Sequence, residues 1–281
     1  MAGYHLLEKD IRRFTRHLET SEYAHGSVEK YLRDVRAFAS WADGRAVTRE
    51  LAARWKEHLL AEGLQPVTVN SKLAALNRLS TFLGWKGLHV KYLRVQRKLF
   101  RSRDRELTRE EYQSLLDTAR DQGRERLALM IETICATGIR VSELRYITVE
   151  AVRAGRADVS LKGKIRTILI PGKLCRKLRK YAAKRKTASG EVFLTGSGRG
   201  IGRRQIWAEM KALCAAAGVS PSKVFPHNLR HLFARTYYRT YKDVVRLADV
   251  LGHSSVETTR IYLVSTGDEH ARQLERLRLV S

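Results

Sequence analysis

The sequence predicts a mainly α chain with one small β element, organised as two domains. Three observations carry this. Apolar residues recur at intervals of three and four through the first ninety positions, with hardly a β-branched run among them. The pattern weakens over residues 91–106, where basic residues crowd together. Beyond residue 107 helical periods resume, interrupted by two short extended runs around Lys162-Gly163-Lys164. A length of 281 residues suits two domains of roughly 100–200 residues each. The chain is therefore divided into a helical domain over 1–90, a basic linker over 91–106 and a mixed α and β domain over 107–281.

In the first domain Ile11, Phe14 and Leu18 mark one helix. Val28, Tyr31, Leu32, Val35, Phe38 and Trp41 mark a second, which Ser27 is expected to cap. A third follows the capping candidate Thr48 and carries Leu51, Trp55, Leu59 and Leu60. Pro66 opens a fourth, with Val69, Leu73, Leu76, Leu79, Phe82 and Leu83 on one stripe. Asn70, Lys72, Asn77 and Arg78 are expected off that stripe, which makes Lys72 and Arg78 candidates to reach phosphates. The linker holds Lys91, Arg94, Arg97, Lys98, Arg101, Arg103 and Arg105, and reads equally as a solvated tether and as a cationic strap along a polyanion.

The second domain opens with Thr108-Arg109-Glu110-Glu111, a capping residue followed by an acidic first turn. Residues 157–161 and 165–170 are expected to pair as a hairpin with Gly163 in its turn, and Pro171 closes the second strand. Residues 191–195 are expected to form a further short strand. The glycine loop over 196–202 lacks the spacing of a dinucleotide fingerprint. The helix after it begins with Arg203 and Arg204, which are candidates to meet an anion.

Lys and Arg number 54 against 29 Asp and Glu, a formal net charge of +25. Such a surplus implies a polyanionic partner, nucleic acid first and a membrane surface second; the plainer reading is a basic protein with neither. No run of 18 apolar residues occurs and the start lacks a signal-peptide layout, so a cytoplasmic protein without membrane attachment is expected. Cys135, Cys175 and Cys214 are odd in number and scattered. They are expected to be buried, reduced thiols rather than a disulfide framework or a zinc ribbon.

Chemistry-bearing residues gather in four boxes: Ala136-Thr137-Gly138-Ile139-Arg140-Val141-Ser142-Glu143-Leu144, the hairpin lysines, His227-Asn228-Leu229-Arg230-His231, and Leu251-Gly252-His253 followed by Ile261-Tyr262-Leu263. Arg140 and Glu143 are three apart, so the carboxylate can orient a guanidinium whose planar fork suits phosphate; an ordinary surface salt bridge has the same spacing. His227 and Arg230 present an imidazole and a second guanidinium from one helical turn behind Pro226. His227 and His231 also have the spacing of a metal pair, but no Glu follows His227 and no third ligand stands near, so no metal is expected. His253 lies in a turn before a helix starting near Val256. A tyrosine flanked by apolar residues, as Tyr262 is, usually belongs to a core. Tyr237, Tyr238 and Tyr241 compete with it as nucleophile, but crowd one helix with no histidine leading into it.

With these boxes in view the sequence resembles the tyrosine recombinases of the phage-integrase family over nearly its whole length. The resemblance implies a helical core-binding module and a catalytic domain that close on DNA like a letter C. It implies that Tyr262 attacks a scissile phosphate to form a 3′-phosphotyrosyl bond, with Arg140 and Arg230 on the non-bridging oxygens and Glu143 bracing the first arginine. It implies that His227 serves as general acid/base, that His253 donates a hydrogen bond to the phosphate, and that a hairpin lysine protonates the leaving 5′-oxygen. The family's hairpin often reads Lys-Gly-x-Lys-x-Arg, whereas this one lacks a turn residue; Lys162 is the expected acid and Lys164 the alternative.

The resemblance further implies no cofactor, since resealing needs neither ATP nor metal, and a homo-tetramer on two double-stranded DNA sites. A tail carrying Leu274, Leu277 and Val280 would dock on a neighbouring protomer, or on its own. No module precedes the first helix, so a second, arm-type DNA site is not expected. Integration or excision of a mobile element is the expected role, with chromosome-dimer resolution or inversion as alternatives. A DNA-binding relative without catalysis and a relaxing enzyme of type IB topoisomerase kind are the readings from other classes.

Overall fold

The apolar stripes of the first ninety residues fold as α1 (Glu8–Thr20), α2 (His25–Ala42), α3 (Arg49–Ala61) and α4 (Pro66–Phe82). The computed structural model describes residues 3–95, 105–161, 164–263 and 275–277, and the chain divides into two units, Met1–Arg97 and Lys98–Ser281. As the sequence predicts, the fold is mainly helical with one small sheet.

In the first unit α4 is buried on two sides. Val69, Leu73 and Leu76 join Phe38 and Trp55 in one cluster, while Ala75 and Leu79 join Phe14 and Val35 in another. Each large side chain so buried stabilises by about 1.5–3 kcal/mol relative to exposure. Thr48 caps α3 by accepting from the Leu51 N–H at 3.1 Å. Ser27 does not cap α2: the helix starts at His25 with Ala24 ahead of it, because Tyr23 packs edge-on against Tyr31 and brings the chain into helix earlier.

Two asparagines of α4 are clamps rather than a solvated flank. Asn77 is buried; its Nδ2 donates to the Val90 carbonyl (3.0 Å) and its Oδ1 accepts from the Val90 N–H (2.9 Å). Two turns earlier Asn70 treats Leu93 the same way, at 2.9 and 2.8 Å. Side-chain amides thus replace a strand partner for the extended segment that leaves this unit.

The second unit runs α5 (Arg109–Asp121), α6 (Glu125–Thr137), a 3-10 turn (Val141–Tyr146), α7 (Val149–Ala154), β1 (Arg156–Leu161), β2 (Lys164–Leu169), α8 (Gly172–Lys184), α9 (Arg203–Leu213), α10 (Pro226–Tyr241), α11 (Val244–Leu251) and α12 (Val256–Leu263). Thr108 and Glu111 form the expected capping box at α5, with bonds of 2.8 and 3.1 Å. Helix α6 is apolar on nearly every side and lies within a core that includes Leu115, Leu178, Phe193 and Leu229.

β1 and β2 are antiparallel, with Val159 opposite Arg166 and Asp158 opposite Thr167. Alternation turns Ile168 into the core and leaves Ile165 and Leu169 exposed. Residues 191–195 are not a strand. Val192 and Phe193 are buried, but the backbone there bonds to the Ile147 carbonyl and to Arg199 through isolated contacts instead of a ladder along β1 or β2. Cys214 is buried, whereas Cys135 and Cys175 are only half-buried because each lies at the margin of the core. The start of the unit is held to α10: Asn228 Nδ2 donates to the Arg105 carbonyl (2.7 Å) and Arg235 Nη2 to the Leu107 carbonyl (2.7 Å). No helix among the described residues is long and apolar enough to cross a membrane.

Candidate active site

Helix α6 ends at Gly138, whose φ of +65° places the chain in the left-handed region. The Phe233 ring occupies the space a side chain would need there. The chain then delivers Arg140, in extended backbone, to the head of the 3-10 turn. Arg140 therefore stands one residue before the helical turn expected to carry it. Glu143 accepts from the Arg140 N–H (2.6 Å) and from Arg140 Nη1 (3.0 Å), as the spacing predicts. It also accepts from Arg166 Nη2 at 2.5 Å. Burial acts to raise the Glu143 carboxyl, but the Arg140 N–H bond and the Arg166 charge overcome it and hold the group below the usual carboxylate range.

The first turn of α10 exposes His227 and buries Arg230, which is 2% exposed. Arg230 Nη1 donates to the Gly138 carbonyl (2.5 Å) and Nη2 to the Leu251 carbonyl (2.7 Å), at the C-terminal ends of α6 and α11. Both ends carry the negative pole of a helix, so this guanidinium is held as well as aimed. Nη2 also donates to His253 Nε2 at 2.9 Å.

An arginine has no acceptor, so His253 Nε2 carries the lone pair and Nδ1 the proton, which goes to Thr259 Oγ1 at 2.8 Å. Burial, with Arg230 and then Arg140 next, pushes the His253 pKa down to about 4. The ring is thus neutral at pH 7. In this arrangement its Nε2 accepts, whereas the resemblance implies a donor to phosphate.

Tyr262 on α12 is 3% exposed. Its ring meets those of His231 (4.2 Å between centroids), His253 (5.5 Å, stacked) and His227 (5.6 Å), and its side chain interacts with the Arg230 guanidinium. Arg140, Arg166, Arg203 and His253 line an adjoining cleft of about 730 Å³. The guanidinium forks of Arg140 and Arg203 in this cleft suit a phosphate group.

Arg140, Glu143, His227, Arg230, His253 and Tyr262 are therefore brought together from separate segments. Lys162, the expected acid, lies outside the described residues, as do Arg97, Lys98, Arg101, Arg103, Leu274 and Val280; Lys164 opens β2. Arg203 and Arg204 begin α9 behind Gly202, as expected. In the first unit Lys72 lies 3.7 Å from the buried Asp34 carboxylate and Arg78 lies over the Tyr23 ring. Two members of the site escaped the sequence reading. Arg166 is a cation at an inward position of β2, a break in alternation that is visible in sequence. Thr259 lies three residues before Tyr262, a spacing that puts both on one helix face.

Known proteins resemble this chain in sequence and in fold. Residues 105–268 match the phage integrase family and residues 11–87 the phage integrase N-terminal SAM-like domain. The tyrosine recombinase XerA of Pyrococcus furiosus is 26% identical over 96% of this chain and 94% of its own length. The tyrosine recombinase XerD of Halalkalibacterium halodurans is 27% identical over 85% of this chain and 87% of its own. In fold, the chain resembles a lambda integrase tetramer bound to a Holliday junction, with TM-score 0.74 at 17% identity over 92% of this chain and 77% of that one. With the catalytic-domain match spanning more than half its length, the chain belongs to the phage integrase family, the tyrosine recombinases that cleave and rejoin DNA strands in site-specific recombination.

Proposed function

We propose that this protein recombines specific double-stranded DNA sites through a 3′-phosphotyrosyl intermediate on Tyr262. The observation that carries the reading is the gathering of His227, Arg230 and His253 around one tyrosine, with the Arg140 charge felt at Arg230. In the step proposed, the Tyr262 oxygen bonds to phosphorus and its proton passes to His227. The bond from phosphorus to the 5′-oxygen breaks, and that oxygen takes a proton from Lys162, with Lys164 as the alternative donor. Arg140 and Arg230 neutralise the non-bridging oxygens as charge builds. For His253 to donate to phosphate, its proton moves to Nε2 while the Thr259 hydroxyl turns to donate into Nδ1, which an amphoteric hydroxyl allows.

Because the covalent bond preserves the phosphodiester energy, the reverse reaction reseals the strand without ATP. The two arginines supply the charge that a metal supplies elsewhere. Tyr262 is buried, so α12 shifts before it can meet a phosphate. Lys72, Arg78, Arg203 and Arg204 are proposed to contact the DNA backbone. The pair at the start of α9 stands where a helix disfavours cations, which suits an external anion. The core-binding module is assigned to 1–90, the linker to 91–106 and the catalytic domain to 107–281.

The protein is proposed to act in the cytoplasm, at the nucleoid, as a homo-tetramer on two sites with the tail after Gly267 docked on a neighbour. Integration or excision of a mobile element is the proposed role, and chromosome-dimer resolution or inversion the alternative. The test mixes wild type and Tyr262→Phe, in EDTA, with nicked suicide fragments tiled from the DNA flanking the gene. Protein-linked DNA in wild type alone is expected. Equal adducts in both remove Tyr262 from the role, and binding without any adduct favours a non-catalytic relative.

A further inference from the structure

We propose that Arg166 is a positioning residue that holds the Arg140–Glu143 pair and the Gly252–His253 turn in one fixed relation. The proposal rests on the Tyr262 chemistry above. Arg166 projects from the inner face of the hairpin, opposite Val159. Its Nη2 donates to Glu143 Oε2 (2.5 Å) and its Nη1 to the Val250 carbonyl (2.7 Å), 84 residues away at the end of α11. Between these anchors the side chain crosses Gly252 so closely that a Cβ there would overlap it. Gly252 is thus required twice, for its φ of +65° and for this approach.

The consequence for Arg140 follows from counting oxygens. Glu143 gives Oε1 to Arg140 and Oε2 to Arg166, so neither carboxylate oxygen is free to turn. The Arg140 side chain is 44% exposed and would otherwise sample many rotamers. On the other side, Val250 is followed by Leu251, whose carbonyl holds Arg230, and then by His253. One guanidinium therefore ties together both arms that would grip the phosphate. A lysine reaches only one of the two acceptors, whereas a planar fork spans them. Arg166 is not itself placed to bind phosphate: two nitrogens are engaged and Nε is sealed from solvent without a partner among the described residues.

The test compares wild type, Arg166→Gln and Arg166→Lys in single-turnover cleavage of the suicide fragment, alongside DNA affinity. Cleavage is expected to fall about 10²-fold in Arg166→Gln, as for a misplaced reacting group, with affinity unchanged and Arg166→Lys recovering part of the rate. A fragment with a sulfur 5′-leaving group needs no general acid, so the loss is expected to persist there. Rescue by that fragment would mean that Arg166 acts through the hairpin lysine instead. The Glu143→Gln, Arg166→Gln double variant is expected to lose no more than the more affected of the two single variants.

A second readout needs no DNA. Rotation of the Arg140 guanidinium, measured by 15N NMR, is expected to speed up in Arg166→Gln and to slow again in Arg166→Lys. Unchanged rotation, or cleavage at the wild-type rate, overturns the proposal. If wild type forms no adduct, the functional reading fails while the NMR comparison still decides the role of Arg166.

Discussion

Thr259 Oγ1 lies 2.8 Å from His253 Nδ1, on the helix that carries Tyr262. Because Arg230 can only donate into Nε2, the imidazole proton stands on Nδ1 and this oxygen accepts it. The helix of the proposed nucleophile thereby supplies the acceptor for the ring proton of a histidine beside it.

Replacing Thr259 by Val keeps the volume and leaves the Nδ1 proton facing a methyl group. Loss of a buried bond of this kind costs about 1–3 kcal/mol. Cleavage is expected to drop about tenfold or more in Thr259→Val, and Thr259→Ser to restore it. Imidazole 15N shifts are expected to report one Nδ1–H tautomer in wild type and a mixture in the valine variant. A single tautomer in both excludes this role.

The His253 pKa of about 4, against an ordinary 6.5, makes stability depend on pH. Between those values the unfolded chain binds a proton that the folded chain refuses. Stability is therefore fully present above about 6.5 and declines as the pH falls toward 4. Glu143 is shifted downward, so its contribution is lost only as the pH falls below about 4.5. The thermal midpoint of His253→Gln, followed from neutral pH to about 4, is expected to fall less than that of wild type. Parallel curves would show that His253 is not the titrating group.

Asn77→Leu removes both partners of the Val90 backbone inside the first unit. Leaving two buried groups unpaired is expected to cost about 2–4 kcal/mol. Trp41, Trp55 and Trp85 lie in that unit and only Trp207 in the other, so urea unfolding of a Trp207→Phe background followed by tryptophan fluorescence reads it directly. An unchanged midpoint would mean that water enters and satisfies Val90.

The contrast between Asn77 and Arg140 shows what the sequence made legible. The first box could be read most fully because it is contiguous and supplies its own local partner, Glu143 three residues from Arg140. Stripe and cap reasoning located the helices for the same reason, with Ser27 missed where the Tyr23–Tyr31 contact outweighed a local capping preference. Asn77 looked like a solvated flank because its partner arrives only when residues 88–93 fold back over α4. Arg166 was passed over because its acceptors are 23 and 84 residues away. Lys72 looked free in sequence, yet it faces Asp34 on a different helix.

In the proposed chemistry Tyr262, rather than a tyrosine of α10, carries the covalent bond. The direct measurement isolates protein-linked DNA, digests both components and locates the remaining nucleotide by mass spectrometry. A nucleotide is expected on the peptide containing Tyr262, joined through its 3′-phosphate. A nucleotide on Tyr237, Tyr238 or Tyr241, or one joined through a 5′-phosphate, would contradict it.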